Sequence, residues 1–90
     1  MTAHIFVMGF VQGVGFRRFI RSKAKLLGLT GWVKNLSDGR VEALVQGPKA
    51  SIDELIKIIE KGNWLSGVKD IVVDWEEKKD EKFESFDIQF

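Results

Sequence analysis

Thr30-Gly31-Trp32-Val33-Lys34-Asn35-Leu36-Ser37-Asp38-Gly39-Arg40-Val41-Glu42-Ala43-Leu44-Val45-Gln46 reads as two short strands around a tight turn. Thr30 to Leu36 forms the first strand. Ser37-Asp38-Gly39 forms the turn, with Asp-Gly supplying positive φ angles. Arg40 to Gln46 alternates, with Val41, Ala43 and Val45 on one face. What flanks this hairpin decides the fold. Before it come a strand at residues 4–8, a glycine-punctuated loop from Gly9 to Gly15, and a helix from about Phe16 to Leu27. After it, Gly47-Pro48 breaks the chain and a helix runs from about Ser51 to Lys61. A long strand then runs from Val68 to Glu77, and a charged turn from Lys78 to Lys82 leads to a last strand. The order β-α-β-β-α-β-β is α+β. Its first six elements make a ferredoxin-like split βαβ unit, an antiparallel sheet with both helices on one face and a final edge strand beyond it.

The helices carry the expected stripes. At about 100° per residue, Phe16, Phe19, Ile20, Ala24, Leu26 and Leu27 share one arc of the first helix. Arg18, Arg21 and Lys25 share the opposite arc, and Arg17 sits at the border beside the loop. Gly28 is placed to end that helix. Ile52, Leu55, Ile56 and Ile59 line the second helix, which Ser51 and Glu54 are spaced to open as a capping box and Gly62 to close. In the last two strands, Ile71, Val73 and Trp75, then Phe86, Ile88 and Phe90, alternate toward the core. In a split βαβ topology strands one and two are parallel with strand three between them. The loop after strand one and the end of strand two then meet at one sheet edge, about two strand spacings or roughly 10 Å apart.

Ninety residues suit one domain. The chain is 44% hydrophobic and 30% charged, and its seven Phe and three Trp supply a core. It has no Cys, which excludes a disulfide framework, a Cys-ligated zinc site and a cysteine nucleophile. Its one histidine, His4, leaves neither a histidine metal cluster nor a Ser-His-Asp triad. No apolar run approaches a membrane span, and no leader-like segment precedes the first strand, so a cytoplasmic location is expected. Net charge is +1, unevenly placed. Residues 1–49 hold eight Lys/Arg against two Asp/Glu; residues 50–90 hold six against eleven. A basic first half suits an anionic ligand, and equally suits two halves of a small domain that complement each other.

The first loop sharpens the question. Gly9-Phe10-Val11-Gln12-Gly13-Val14-Gly15-Phe16-Arg17 joins a strand to a helix N-terminus. Glycines there let backbone N–H groups turn inward, the helix end adds positive partial charge, and Arg17 can add a bidentate fork. The same glycines also make an ordinary tight turn beside a solvated arginine. No Gly-Lys-Ser/Thr follows, so this is no P-loop. Arg18 stands where a dinucleotide fingerprint needs its third glycine.

Two stretches, Val11-Gln12-Gly13-Val14-Gly15-Phe16-Arg17 and Gly31-Trp32-Val33-Lys34-Asn35-Leu36-Ser37-Asp38-Gly39-Arg40-Val41-Glu42, closely resemble the acylphosphatases. The resemblance covers essentially the whole chain, Gly47 included, although Phe10 stands where the family is often basic. It implies hydrolysis of the carboxyl–phosphate bond of acyl phosphates. It implies a phosphate-binding loop of Gln12, Gly13, Val14, Gly15, Phe16 and Arg17. It gives Arg17 the role of binding the phosphoryl group and Asn35 that of positioning the attacking water. The topology independently brings Asn35 to the same sheet edge as the loop. An acyl phosphate suits a site without titrating groups, because its carboxylate leaving group needs no proton from a general acid.

The expected ligands are therefore a small-molecule acyl phosphate and inorganic phosphate, with no cofactor, metal, nucleic acid or membrane partner and a monomeric chain. A non-catalytic anion-binding or regulatory domain of the same fold is the alternative, and intact Arg17 and Asn35 favour catalysis over it. The resemblance extends to the N-terminal domain of a hydrogenase-maturation carbamoyltransferase; a chain that ends just after its last strand favours the free-standing enzyme. An RNA-binding sheet would carry aromatics on strand three, where Val41, Ala43 and Val45 stand. Trp32, Trp64, Trp75 and His4 read as packing residues, Arg18 and Arg21 as a solvated face, and Glu42 carries no assigned chemistry.

Overall fold

The computed structural model describes residues 1–9, 11, 15–61, 67–77 and 82–90. Its elements are β1 (Thr2–Gly9), α1 (Phe16–Leu26), β2 (Thr30–Asn35), β3 (Val41–Gln46), α2 (Lys49–Lys61), β4 (Val68–Glu76) and β5 (Phe86–Gln89). The strands form one sheet in the order β4-β1-β3-β2-β5. β3 pairs antiparallel with both β1 and β2, so β1 and β2 run parallel on either side of it, as the split βαβ pattern requires. β4 is antiparallel to β1, whereas β5 adds to β2 in parallel, which makes the five-stranded sheet mixed.

Alternation decides which face is core. Ala3, Ile5 and Val7 of β1, Val33 of β2 and Val41, Ala43 and Val45 of β3 are fully buried on the side that carries the helices. Phe16, Ile20 and Ala24 of α1 and Ile52, Leu55 and Ile59 of α2 fill the space above them. Each large apolar side chain removed from water contributes about 1.5–3 kcal/mol, so this one layer is what pins the sheet register. Gly31 belongs to it by default. A Cβ there would lie 1.8 Å from the carbonyl oxygen of Leu44, so only glycine lets β2 and β3 approach this closely.

Several local expectations change. Leu26 is 77% exposed, not part of the apolar arc: the stripe that packs runs through Phe16, Ile20, Ala24 and Leu27, and Leu26 points about 100° away from Leu27. The turn after α1 is closed by two backbone bonds, with the Gly28 N–H donating to the Lys25 carbonyl and the Leu29 N–H to the Ala24 carbonyl. α2 begins at Lys49, two residues before Ser51. The Pro48 carbonyl accepts from the N–H groups of Ser51 and Ile52, so Pro48 opens the helix and Ser51 lies inside its first turn rather than capping it with Glu54. In the turn between β2 and β3 Gly39 alone has positive φ; Asp38 does not. The Leu36 carbonyl accepts from the Gly39 N–H, and the Leu36 N–H donates to the Arg40 carbonyl, closing a loop over Ser37-Asp38-Gly39, the three residues expected to make the turn. Phe90 is fully exposed instead of joining Phe86 and Ile88 against the core, because β5 stops at Gln89. Gly62, Trp64 and the turn at residues 78–81 lie outside the described residues.

Candidate active site

The start of α1 is an N-terminus without the usual protection. Its N-cap, Gly15, is in the left-handed region (φ 81°, ψ 17°) and has no side chain to accept from the helix. No acidic residue occupies the first turn. The leading N–H groups therefore face outward with their partial positive charge uncompensated by the helix itself. Val11 and Phe16, both 1% exposed, anchor the two ends of the loop in the core and so fix where those N–H groups point. Gln12, Gly13 and Val14, the expected centre of the cradle, lie outside the described residues.

Facing this helix end is the last residue of β2. Asn35 follows Val33 by two positions, so its side chain leaves the sheet on the helix side, at the edge where β1 also ends. Its Oδ1 atom is buried and, among the described residues, accepts no hydrogen bond. A buried amide oxygen that no described residue donates to is free to accept from a donor in the space it faces. Such a donor has room. Val11, Gly15, Phe16, Arg17, Arg18 and Asn35 line one cavity of about 320 Å³. Arg17, Asn35 and the described part of the loop thus meet as expected. Among the described residues this lining offers no carboxylate, imidazole or thiol.

Arg17 is held from behind. Its Nη1 donates to the Gln89 carbonyl at 3.0 Å, and its guanidinium carbon lies 4.8 Å from the centre of the Phe90 ring. Sequence reading missed Gln89 and Phe90; their only signal was the position of a strand directly after β2 in the sheet, which no local pattern specifies. It also placed Arg18 on a solvated face. Arg18 is exposed, yet it shares the cavity with Arg17. The other conspicuous polar residues lie elsewhere. His4 and Glu42 pair on the helix-free face of the sheet, with Lys34 Nζ 3.7 Å from Glu42, and His4 is flanked there by Phe6 and Trp32.

The acylphosphatase family model matches residues 3–88. An acylphosphatase of Trichormus variabilis is 46% identical over 77 residues, covering 86% of this chain and 76% of the relative. The crystal structure of acylphosphatase from Bacillus subtilis superposes with a TM-score of 0.93 at 39% identity, covering 99% of this chain and 98% of that one. The T. kodakarensis HypF structure also matches, with a TM-score of 0.84 and 33% identity, over 100% of this chain and 12% of its own.

Proposed function

The chain belongs to the acylphosphatase family and hydrolyses acyl phosphates; we propose that it does so by in-line attack of a water positioned by Asn35 on a phosphoryl group held by Arg17 and the N-terminus of α1. The reaction needs little from the protein beyond placement and charge. The substrate is a mixed anhydride. Water forms a new bond to phosphorus while the phosphorus–acyl oxygen bond breaks, and its electron pair leaves with the carboxylate. A carboxylate with an ordinary pKa near about 4 leaves unprotonated, and the water's protons pass to phosphate oxygen and solvent. What must be stabilised is charge spread over the equatorial phosphoryl oxygens.

The helix N-terminus and the Arg17 fork supply that stabilisation, with backbone N–H groups of residues 12–17 as the cradle. Asn35 accepts one O–H of the water through Oδ1, which aims a lone pair at phosphorus. An amide is not a base at neutral pH, so its role is orientation. The observation that carries this reading is the buried Asn35 Oδ1, without a hydrogen-bond partner among the described residues, at the cavity that Arg17 also lines. Hydrolysis of benzoyl phosphate in ¹⁸O-water tests it. Label in the released phosphate is the expected result, and label in the benzoate would place the attack at carbonyl carbon and remove Asn35 from this role.

A further inference from the structure

Five of the eleven residues of α1 are cationic and none is acidic, and two of the five, Arg17 and Arg18, fall in the first turn. Cations there oppose the helix dipole, so the placement is unfavourable until an anion arrives. Cα–Cβ bonds tilt toward a helix N-terminus, so both side chains lean over the cavity mouth. They are not equivalent. Arg17 is committed to the Gln89 carbonyl and the Phe90 ring. Arg18 is exposed and, among the described residues, has no hydrogen-bond, ion-pair or ring partner. Consecutive helical residues also diverge by about 100°, so the second guanidinium reaches a different part of a bound ligand from the first.

The cavity has space for that part. At about 320 Å³ it exceeds a phosphate ion, which fills only two or three water volumes of about 30 Å³ each. The remainder has room for the part of the acyl group next to the phosphoryl, and the charged side chains lining the cavity, Arg17 and Arg18, are positive. We propose that Arg18 is a specificity residue that selects acyl phosphates bearing a second anionic group, carboxylate or phosphate, on the acyl portion. This rests on the phosphoryl-binding reading of the same cavity.

The test compares benzoyl phosphate with 4-carboxybenzoyl phosphate, which differ by one carboxylate and cannot cyclise. The readout is the ratio of their kcat/KM values, carboxylated over plain, in the variant relative to wild type, so that intrinsic reactivity cancels. A partly solvated charge pair is worth a few-fold in rate. In Arg18→Gln the ratio should fall about threefold to fivefold, in Arg18→Lys it should stay near the wild-type value, and in Lys25→Gln, on the exposed side of the same helix, it should not move. The wild-type ratio should also shrink as salt rises from about 0.01 to 0.5 M, because added ions screen the pair. An unchanged ratio in folded Arg18→Gln, with both substrates still hydrolysed, overturns the proposal and leaves the phosphoryl-binding reading standing. Failure of folded wild type to hydrolyse either substrate overturns both.

Discussion

Arg17 donates from Nη1 to the main-chain carbonyl of Gln89 at 3.0 Å, which ties the first turn of α1 to the last residue of β5. The bond exists because β5 pairs in parallel with β2 and so ends beside the site that β2 also reaches. Phe90 then covers the guanidinium with its ring. A cation–π contact at an exposed position is worth about 0.5–1 kcal/mol. Phe90→Ala should therefore lower kcat/KM by about twofold to fivefold through weaker holding of Arg17, with the melting temperature unchanged because the ring is fully exposed. Equal activity in the two proteins would show that the Gln89 carbonyl alone is sufficient.

Arg17 itself should tolerate no replacement. Lysine keeps the charge but loses the planar fork that engages the Gln89 carbonyl and, in the proposed mechanism, the phosphoryl oxygens as well. Arg17→Lys should remain impaired by at least about tenfold in kcat/KM, and Arg17→Ala should also weaken competition by inorganic phosphate. Both should stay folded, since the side chain is only half-buried at the border of the apolar arc. Near-normal turnover in Arg17→Lys would remove the fork from the mechanism. The same assay should be indifferent to EDTA, because the described cavity lining offers no carboxylate, imidazole or thiol to a metal ion; a magnesium requirement would contradict it.

Much of the fold and half of the site are legible in local pattern. The alternation of Val41, Ala43 and Val45 sets the core face of β3, and the hairpin after a strand–helix unit implies that β1 and β2 run parallel on either side of it. From that alone Asn35 falls beside the first loop. What is not legible depends on contacts far apart in sequence or on competing local chemistry. Arg17 and Gln89 are 72 positions apart, and no periodicity reports a partner at that range. Ser51 with Glu54 has the spacing of a capping box, but Pro48 has its φ already fixed for a helix start and opens α2 three residues earlier. Leu26 stands at the margin of the apolar arc, and the stripe that packs runs through Phe16, Ile20, Ala24 and Leu27 instead. Angle around the helix axis puts Arg18 on a solvated face, and it is exposed; what the angle does not report is that a side chain at a helix end also leans past the terminus to the cavity.

The turn that follows β2 should show a pH signature. The backbone N–H of Arg40 donates to Asp38 Oδ1 at 3.1 Å and holds the carboxyl below the usual aspartate range, with the Arg40 guanidinium adding to the effect at 2.8 Å. A carboxyl whose pKa is lower in the folded state stabilises fully above its unfolded pKa, and that contribution disappears as pH falls through the folded value. Wild type should therefore exceed Asp38→Asn in urea midpoint at neutral pH, with the gap closing in acid below the ordinary aspartate range. The effect is small because Asp38 is exposed. An NMR titration of the Asp38 carboxyl with a midpoint at or above the ordinary value would rule out the Arg40 N–H and guanidinium as partners of the carboxylate.

Asn35 gives the sharpest separation of structure from chemistry. Its Oδ1 is a buried acceptor without a donor among the described residues, so deleting it removes a desolvated group that makes no bond to those residues. Asn35→Ala should melt at or above the wild-type temperature. If Oδ1 orients the attacking water, the same variant should lose about 10²–10³ in turnover, the usual cost of one preorganised polar group. Competition by inorganic phosphate should change little, because the proposed mechanism gives the phosphoryl oxygens to Arg17 and the helix N-terminus and keeps the water position separate. A fall in kcat without a matching fall in phosphate affinity is the mark of an interaction made in the transition state. Asn35→Asp is no rescue, since a carboxylate in that position repels the phosphoryl oxygens; it should also weaken phosphate binding, which Asn35→Ala does not. A purely structural role makes the opposite forecast. Asn35 then serves only to lead β2 into the turn at Ser37-Asp38-Gly39, and Asn35→Ala should unfold more easily while each folded molecule turns over at the wild-type rate. Turnover, phosphate inhibition and melting temperature measured on one preparation distinguish the two, and normal turnover in a stable fold would remove Asn35 from the reaction.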